Sequence, residues 1–249
     1  MDVSDLVIIG GGASGFMTAI TAAENGLKKI KILESSSKLL EKVRISGGGR
    51  CNVTNACWIP NELIDNYPRG GKKLLESLSR FATGDVLAWF KERGLELKIE
   101  NDLRVFPVSD SSIDVVNCLK KNAIKSGVTI NIKKNVRKIT RKDSCYFKVY
   151  FTEQEFIFAR KILIATGGHP SGYKLAASLG HTIIKPVPSL FTFTSRNKEL
   201  EQCAGVSLKN VRLKIIINQK IFENYGDLLI THWGFSGPGI LKLSAIAAR

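Results

Sequence analysis

Residues 5–9 and 29–34 are short apolar runs of the kind that form buried strands, and 13–25 between them repeats its apolar positions with a helical period. Phe16, Ala19, Ile20 and Ala23 fall on one face, and Gly26 is placed to stop the helix. This is a β-α-β unit, because parallel strands need a crossover between them. Two more helices are predicted over 71–81 and 85–93, the second stopped by Gly94. Residues 98–108 predict a hairpin turning at Asn101-Asp102, and 111–125 a helix opened by a capping-box pattern, Ser111-x-x-Asp114. A third strand of the first sheet follows over 128–132. Segments 136–140, 146–151 and 155–159 alternate apolar and polar residues between polar turns, as an antiparallel meander does. Residues 161–166 predict a compact strand closed by Gly167-Gly168, and 173–179 a helix. From Pro186 the texture changes to β-prone segments, 190–194 and 211–217. Pro238 sits where a last helix would begin, with 240–248 as its body. The expected fold class is α/β: a Rossmann-like domain over 1–185, with a parallel sheet plus β-meander, and an incomplete β-rich insert domain over 186–249.

Composition narrows the function classes. The 249 residues are 44% hydrophobic and 24% charged, an ordinary globular balance that excludes wholesale disorder, collagen-like repeats and coiled coil. No apolar run reaches the length of a membrane span. Residues 6–20 carry four glycines and lack a basic leader, so no signal peptide is expected and the expected location is the cytoplasm. Five scattered cysteines make no disulfide framework. The net charge of +15, from 37 basic and 22 acidic residues, favours anionic partners. The basic residues are spread along the chain, and the one dense run, 133–142, alternates with apolar residues like a half-exposed strand. A lysine-rich surface is therefore expected rather than a nucleic-acid partner.

The chemistry concentrates in two glycine-rich segments. Gly10-Gly11-Gly12-Ala13-Ser14-Gly15 lies between the first strand and its helix, and Glu34 ends the second strand about 20 residues on. In such a unit Gly10 makes the tight turn, Gly12 lets a pyrophosphate approach and Gly15 lets helix and strand pack closely. The helix N-terminus at Ala13 and Ser14 offers N–H groups to phosphates, and Glu34 would accept from ribose hydroxyls. The second segment, Ser46-Gly47-Gly48-Gly49-Arg50-Cys51-Asn52, clusters donors beside a backbone that a ligand can approach, and Arg50 could pair with a phosphate. Lys42 is a further cofactor candidate. Cys51 and Cys57 are spaced C-x5-C in poor helix sequence, so a loop cysteine is expected rather than a redox pair. Among the histidines, His169 and His232 beside glycine turns are candidate proton donors, against a structural role in those turns, and His181 is expected to be structural. No pair has metal-ligand spacing, and no metal is expected.

The meander followed by Ala165-Thr166-Gly167-Gly168 resembles the FAD-binding domain of two-dinucleotide flavoproteins. No second G-x-G-x-x-G follows a strand, so electrons would come from substrate, from NAD(P)H docked without its own Rossmann unit, or from a partner. The 46–55 segment and the first glycines together resemble the bacterial BaiN/YhiN-like flavoproteins. Further matches are Arg104-Val105-Phe106-Pro107, Leu179-Gly180-His181-Thr182, Pro186-Val187-Pro188-Ser189-Leu190 and Thr231-His232-Trp233-Gly234-Phe235-Ser236-Gly237-Pro238. The resemblance implies FAD held by Gly10, Gly12, Gly15 and Glu34, with Ser46 to Arg50 and Asn52 facing it. It adds Thr166, Gly167 and Gly168, and places the backbone of Val136 against adenine. It implies hydride transfer at flavin N5 to or from a small organic substrate; both enone-type steroid reduction and amine oxidation occur among the members. This sequence departs from the pattern in a shorter 165–181 region and in lacking the family's C-terminal return to the FAD domain. The ending at Arg249 therefore motivates two further expectations: an inactive fragment, or a subunit that needs a companion C-terminal chain or a homo-oligomer. The charge motivates a third, an FAD-dependent RNA-modifying protein.

Overall fold

In the computed structural model, which describes residues 2–142 and 145–248, the first apolar run becomes β1 (Val3–Ile9) and the glycine turn leads into α1 (Ala13–Glu24). β2 (Ile30–Leu33) pairs parallel with β1, Leu6 opposite Ile30 and Ile9 opposite Leu33. Next come α2 (Glu41–Ile45), a 3-10 turn over Ser46–Gly49, β3 (Thr54–Asn55), α3 (Pro60–Asp65), α4 (Gly71–Arg80) and α5 (Thr83–Glu92). β4 (Leu97–Ile99) and β5 (Arg104–Pro107) make a hairpin, and β3 adds to β5 to give a small antiparallel sheet. Then follow α6 (Ser112–Lys125), β6 (Thr129–Asn131), β7 (Lys138–Arg141), β8 (Phe147–Tyr150), β9 (Phe156–Ile164) and α7 (Pro170–Ser178).

The main sheet has six strands in the order β6-β2-β1-β9-β8-β7. β6, β2, β1 and β9 run parallel, and β9, β8 and β7 form the antiparallel meander. One strand does both tasks. The start of β9 pairs with β8, Tyr150 opposite Phe156, and its end pairs with β1, Ile9 opposite Ile164. The sequence reading splits this stretch into two strands at residue 160; the structure joins them, because Arg160 is an exposed strand residue with no turn former beside it. The expected capping box also fails. The Ser111 side chain makes no cap hydrogen bond, and the Asp114 N–H donates instead to the Ser111 carbonyl at 3.2 Å. α5 is capped from within: Asp85 accepts from the Ala82 N–H at 2.8 Å, so the helix begins at Thr83, ahead of the expected start.

Both faces of the parallel part of the main sheet are covered. On one side α1 and α6 bury Phe16, Ile20, Val115 and Leu119 against Ile8, Ile30 and Ile32. On the other, Val7, Ile9 and Leu33 pack with Val136, Ile139, Val149 and Leu175, so the meander's inner face and α7 close that side. No helix among the described residues is long and apolar enough to cross a membrane.

The chain divides into two units, Met1–Ile64 with Lys72–Ile183, and Asp65–Gly71 with Ile184–Arg249. The second contains β10 (Phe193–Thr194), α8 (Lys198–Gln202), β11 (Ser207–Ile217), β12 (Lys220–Thr231), β13 (Gly234–Ser236) and α9 (Pro238–Ala247). Its sheet order is β10-β13-β12-β11. β11 and β12 form a long hairpin through Asn218 and Gln219, both left-handed at φ 48° and 66°, as a two-residue loop requires. The sequence reading assigns no strand to β12. The apolar side of α9 is covered within this unit: Ile240 and Leu243 bury against Leu213, Leu228 and Ile230.

Candidate functional site

The glycine turn after β1 is shaped by close contacts. Gly10 has φ 116°, and a Cβ there would lie 2.4 Å from the Ala165 carbonyl oxygen. A Cβ on Gly15 would lie 2.2 Å from the Gly10 carbonyl oxygen, so this helix turn can sit on the strand only if it carries no side chain. At Gly12, by contrast, a Cβ would meet nothing within 4 Å. Gly12 is the N-cap of α1 and offers no side-chain cap, and the first turn of the helix carries no acid. The backbone N–H groups and positive end of α1 therefore face open space, an arrangement that suits an anion.

Glu34 follows β2 beside this turn. Its carboxylate accepts from the Gly11 N–H at 2.9 Å, the Ser36 N–H at 2.7 Å and the Ser35 hydroxyl at 3.2 Å. Burial pushes the carboxyl up, but the N–H groups of Ser36 and Gly11 outweigh it and hold it below the ordinary glutamate range. Leu40, buried and left-handed at φ 57°, ties the following segment back by donating its N–H to the Gly11 carbonyl at 2.8 Å. That contact sets α2, which carries Lys42; the Lys42 ammonium lies 3.5 Å from where a Gly167 Cβ would be.

A cavity of about 700 Å³ opens between these parts. Of the residues singled out in the sequence, Gly10, Gly12, Ala13, Ser14, Glu34, Lys42, Ser46, Asn52, Thr166 and Gly167 line it. Its far wall is apolar, with Met17, Trp89, Phe90, Val115 and Leu119. Sequence reasoning missed this wall, and also Ser36, Lys38 and Leu40 at the rim. The helical periodicity of α5 and α6 marks the apolar residues as core; nothing local marks them as cavity lining.

Other candidates stand elsewhere. Gly47, Gly48 and Gly49 build the left-handed 3-10 turn that carries Ser46, at φ 56°, 67° and 87°. Arg50 is turned away from the cavity lining and held by carboxylates: it pairs with Glu100, and its Nε donates to Asp110 at 2.9 Å. Its guanidinium also lies over the Phe106 ring, 3.9 Å from the centroid. Both acids raise its pKa further. Val136 is buried between the sheet and α7, close in sequence to Lys134, whose N–H donates to the Glu34 carbonyl at 2.8 Å. Gly168 precedes His169, which is the N-cap of α7 and bonds Ser171 through Nδ1, 2.8 Å from the hydroxyl. His232 lies exposed in the β12–β13 turn of the second unit.

Cys51 lines the cavity, and burial pushes its thiol up against the opposing hydrogen bond with Ser46, which disfavours the thiolate. Cys57 is half-buried and its sulfur lies 3.8 Å from the Ile59 carbonyl. Among the described residues no group of three or more histidine, cysteine or acidic residues could hold a metal ion.

Comparison with known proteins places this architecture. The chain is similar to a ribosomal RNA dihydrouridine synthase of Haemophilus influenzae, 29% identical over 256 aligned positions that cover 97% of this chain and 61% of that protein. It is equally similar to a 3-dehydro-bile acid delta(4,6)-reductase of Clostridium scindens, 29% identical over 253 positions, 97% of this chain and 60% of that protein. The chain thus spans about three fifths of the length of these relatives. Among solved structures, the open form of a flavocytochrome c3 fumarate reductase matches 84% of this chain and 47% of its own with a TM-score of 0.56 at 16% identity, a likeness of fold. The model of the HI0933-like protein Rossmann domain matches residues 4–226, and the chain belongs to that family.

Proposed function

We infer that the first unit binds FAD and that the chain is the cofactor-binding part of a flavin-dependent reductase. The observation that carries this reading is the convergence on one cavity of a bare helix N-terminus, an ionised glutamate at the end of the second strand and the Ser46 turn. The residues present fit the group. Open space at Gly12 and the ammonium of Lys42 suit a diphosphate. Glu34, kept ionised by its N–H donors, suits ribose hydroxyls. The apolar wall at Trp89 and Phe90 suits an aromatic ring system and keeps water out.

A bound FAD supplies the hydride chemistry. This chain's own residues would bind and orient it: the Gly10–Gly12 backbone and α1 would hold the phosphates and Glu34 the ribose, while the Ser46 hydroxyl, which donates to the Val43 carbonyl, and the Asn52 amide, whose oxygen accepts from the Val105 N–H, would offer it an acceptor and an NH2 donor. In this reading residues 1–185 are the FAD-binding domain and 186–249 contribute to substrate handling.

The names of the two relatives support a substrate class. Making dihydrouridine and reducing a 3-dehydro-delta(4,6) bile acid both add two hydrogens across a C=C conjugated to a carbonyl. The proposed reaction is therefore reduction of such a bond, with NAD(P)H as the electron source. The test is an anaerobic spectrum of the FAD-loaded chain. Bleaching of the flavin bands by NADPH or NADH, and their return on adding an enone or a uridine-containing RNA but not a saturated analogue, is the expected result. A bound flavin that neither nucleotide bleaches, or that no conjugated alkene reoxidises, would refute the reductase reading while leaving FAD binding intact.

A further inference from the structure

The outer face of the meander gathers what the sequence scatters. Residues directly opposite one another on neighbouring strands share a face: Lys138 faces Tyr150, Tyr150 faces Phe156, and Lys148 faces Phe158. Their neighbours Ile139, Val149 and Ala159 point the other way, into the core. The outer face therefore presents Tyr150, Phe156 and Phe158, interleaved with Lys138, Lys142 and Lys148.

The ammonium groups ride on the rings. Lys148 lies 3.5 Å from the Phe156 centroid and 4.8 Å from that of Tyr150, Lys142 lies 5.1 Å from Phe158, and Lys138 lies 5.9 Å from Tyr150. Phe156 remains 38% exposed. Thr140 stands opposite Lys148 on the neighbouring strand, and Lys148 and Thr140 hold the Tyr150 phenol below the usual tyrosine range. At the border of the face Arg160 pairs with Asp5 at 3.7 Å, and Lys134 pairs with Glu155.

We propose that this face binds single-stranded RNA, its lysines swinging off the rings to pair with phosphates and the uncovered rings stacking on unpaired bases. A single strand uses both the charge and the rings, bases on the rings and phosphates on the lysines, whereas an acidic peptide would use the charge alone. Alternate residues on a strand stand about 7 Å apart, twice the roughly 3.4 Å rise of a stacked strand, so the platform receives splayed bases. Splayed bases on aromatic side chains are how unpaired RNA is read. The hydroxyls of Thr140 and Tyr150 stand among the cations as partners for a ribose 2′-OH, the group that separates RNA from DNA. The chain's net charge of +15 adds long-range attraction for a polyanion. The proposal does not depend on FAD binding, since every residue in it lies on the outer face of the meander.

The experiment is fluorescence anisotropy of the full chain with a labelled oligouridine of about 12 nucleotides, at salt from about 50 to 200 mM, with FAD present and absent. The Y150A/F156A variant should bind about tenfold more weakly. The K138Q/K142Q/K148Q variant should bind more weakly and lower the salt slope by about 2. Circular dichroism checks that each is folded, and the lysine variant, whose side chains lie on the surface, keeps the test valid if the aromatic variant unfolds. The DNA oligomer of the same length should bind several-fold more weakly. Unchanged affinity in the lysine variant, equal affinity for RNA, DNA and heparin, or binding to phosphatidylserine vesicles without binding to the oligouridine would overturn the proposal.

Discussion

At the scale of single residues, the glycine turn was legible because it answers a local demand, and Glu34 because its spacing from that turn sets it at the end of the second strand. Gly10 must adopt a left-handed turn and Gly15 must admit a carbonyl oxygen, and both demands lie within a few residues of the chain. Arg50 was not legible as an ion-pair residue. Its partners Glu100 and Asp110 lie 50 and 60 positions away, so only folding brings them together. Glu34 carries two predictions. Glu34→Ala should weaken FAD binding by about 1.5–3 kcal/mol, the size of a charge-assisted hydrogen bond, in a fluorescence-quenching titration. Its carboxyl is also held below the ordinary range in the folded chain, so the charge stabilises the fold above pH of about 4–5 and the contribution is lost as pH falls through the lowered value. The stability gap between the parent and Glu34→Gln should accordingly close in urea titrations as pH is taken toward about 3; a gap independent of pH would remove the N–H donors of Gly11 and Ser36 from the explanation. Cys51, kept as a thiol by burial, should react slowly with iodoacetamide, and Cys57→Ser should leave flavin reduction intact.

At the scale of elements, the parallel strands and their crossover were read from periodicity, since a buried run and an amphipathic helix leave different repeats. β12 was not, and its packing shows why. Alternate residues Phe222, Asn224, Gly226, Leu228 and Ile230 share one side, yet two of them are not apolar. A Cβ on Gly226 would lie 2.9 Å from the Gly239 Cα, and the Asn224 amide donates to the Gly239 carbonyl at 3.3 Å. α9 approaches the strand so closely there that an apolar side chain has no room, and the alternation that would have announced the strand is lost. Gly226→Ala should therefore destabilise, by about 1–3 kcal/mol through overpacking, although the same change in an open strand stabilises. The exposed Lys220→Ala should stay within about 0.5 kcal/mol. Urea midpoints of both variants check this, and a stabilised Gly226→Ala would show that α9 does not lie against β12.

At the scale of the molecule, sequence order conceals what the sheet assembles. The dense basic stretch reads as one half-exposed strand, and only the pairing of β7, β8 and β9 sets its lysines among the rings of Tyr150, Phe156 and Phe158. The cavity is assembled in the same way, from the ends of β1 and β2, the start of α1, the Ser46 turn and the walls of α5 and α6. Its glycine and acid parts were legible because they recur as one motif; its apolar wall was not, because core and cavity lining share one composition. The central claim is that this cavity holds FAD. The most direct measurement is a spectral titration of the purified chain with FAD beside Gly12→Glu, whose new carboxylate would project into the open space at the end of α1. Saturable binding of one FAD per chain by the parent and none by Gly12→Glu is the expected result. Equal binding by both, or no saturable binding by the parent, would contradict the assignment of the cavity.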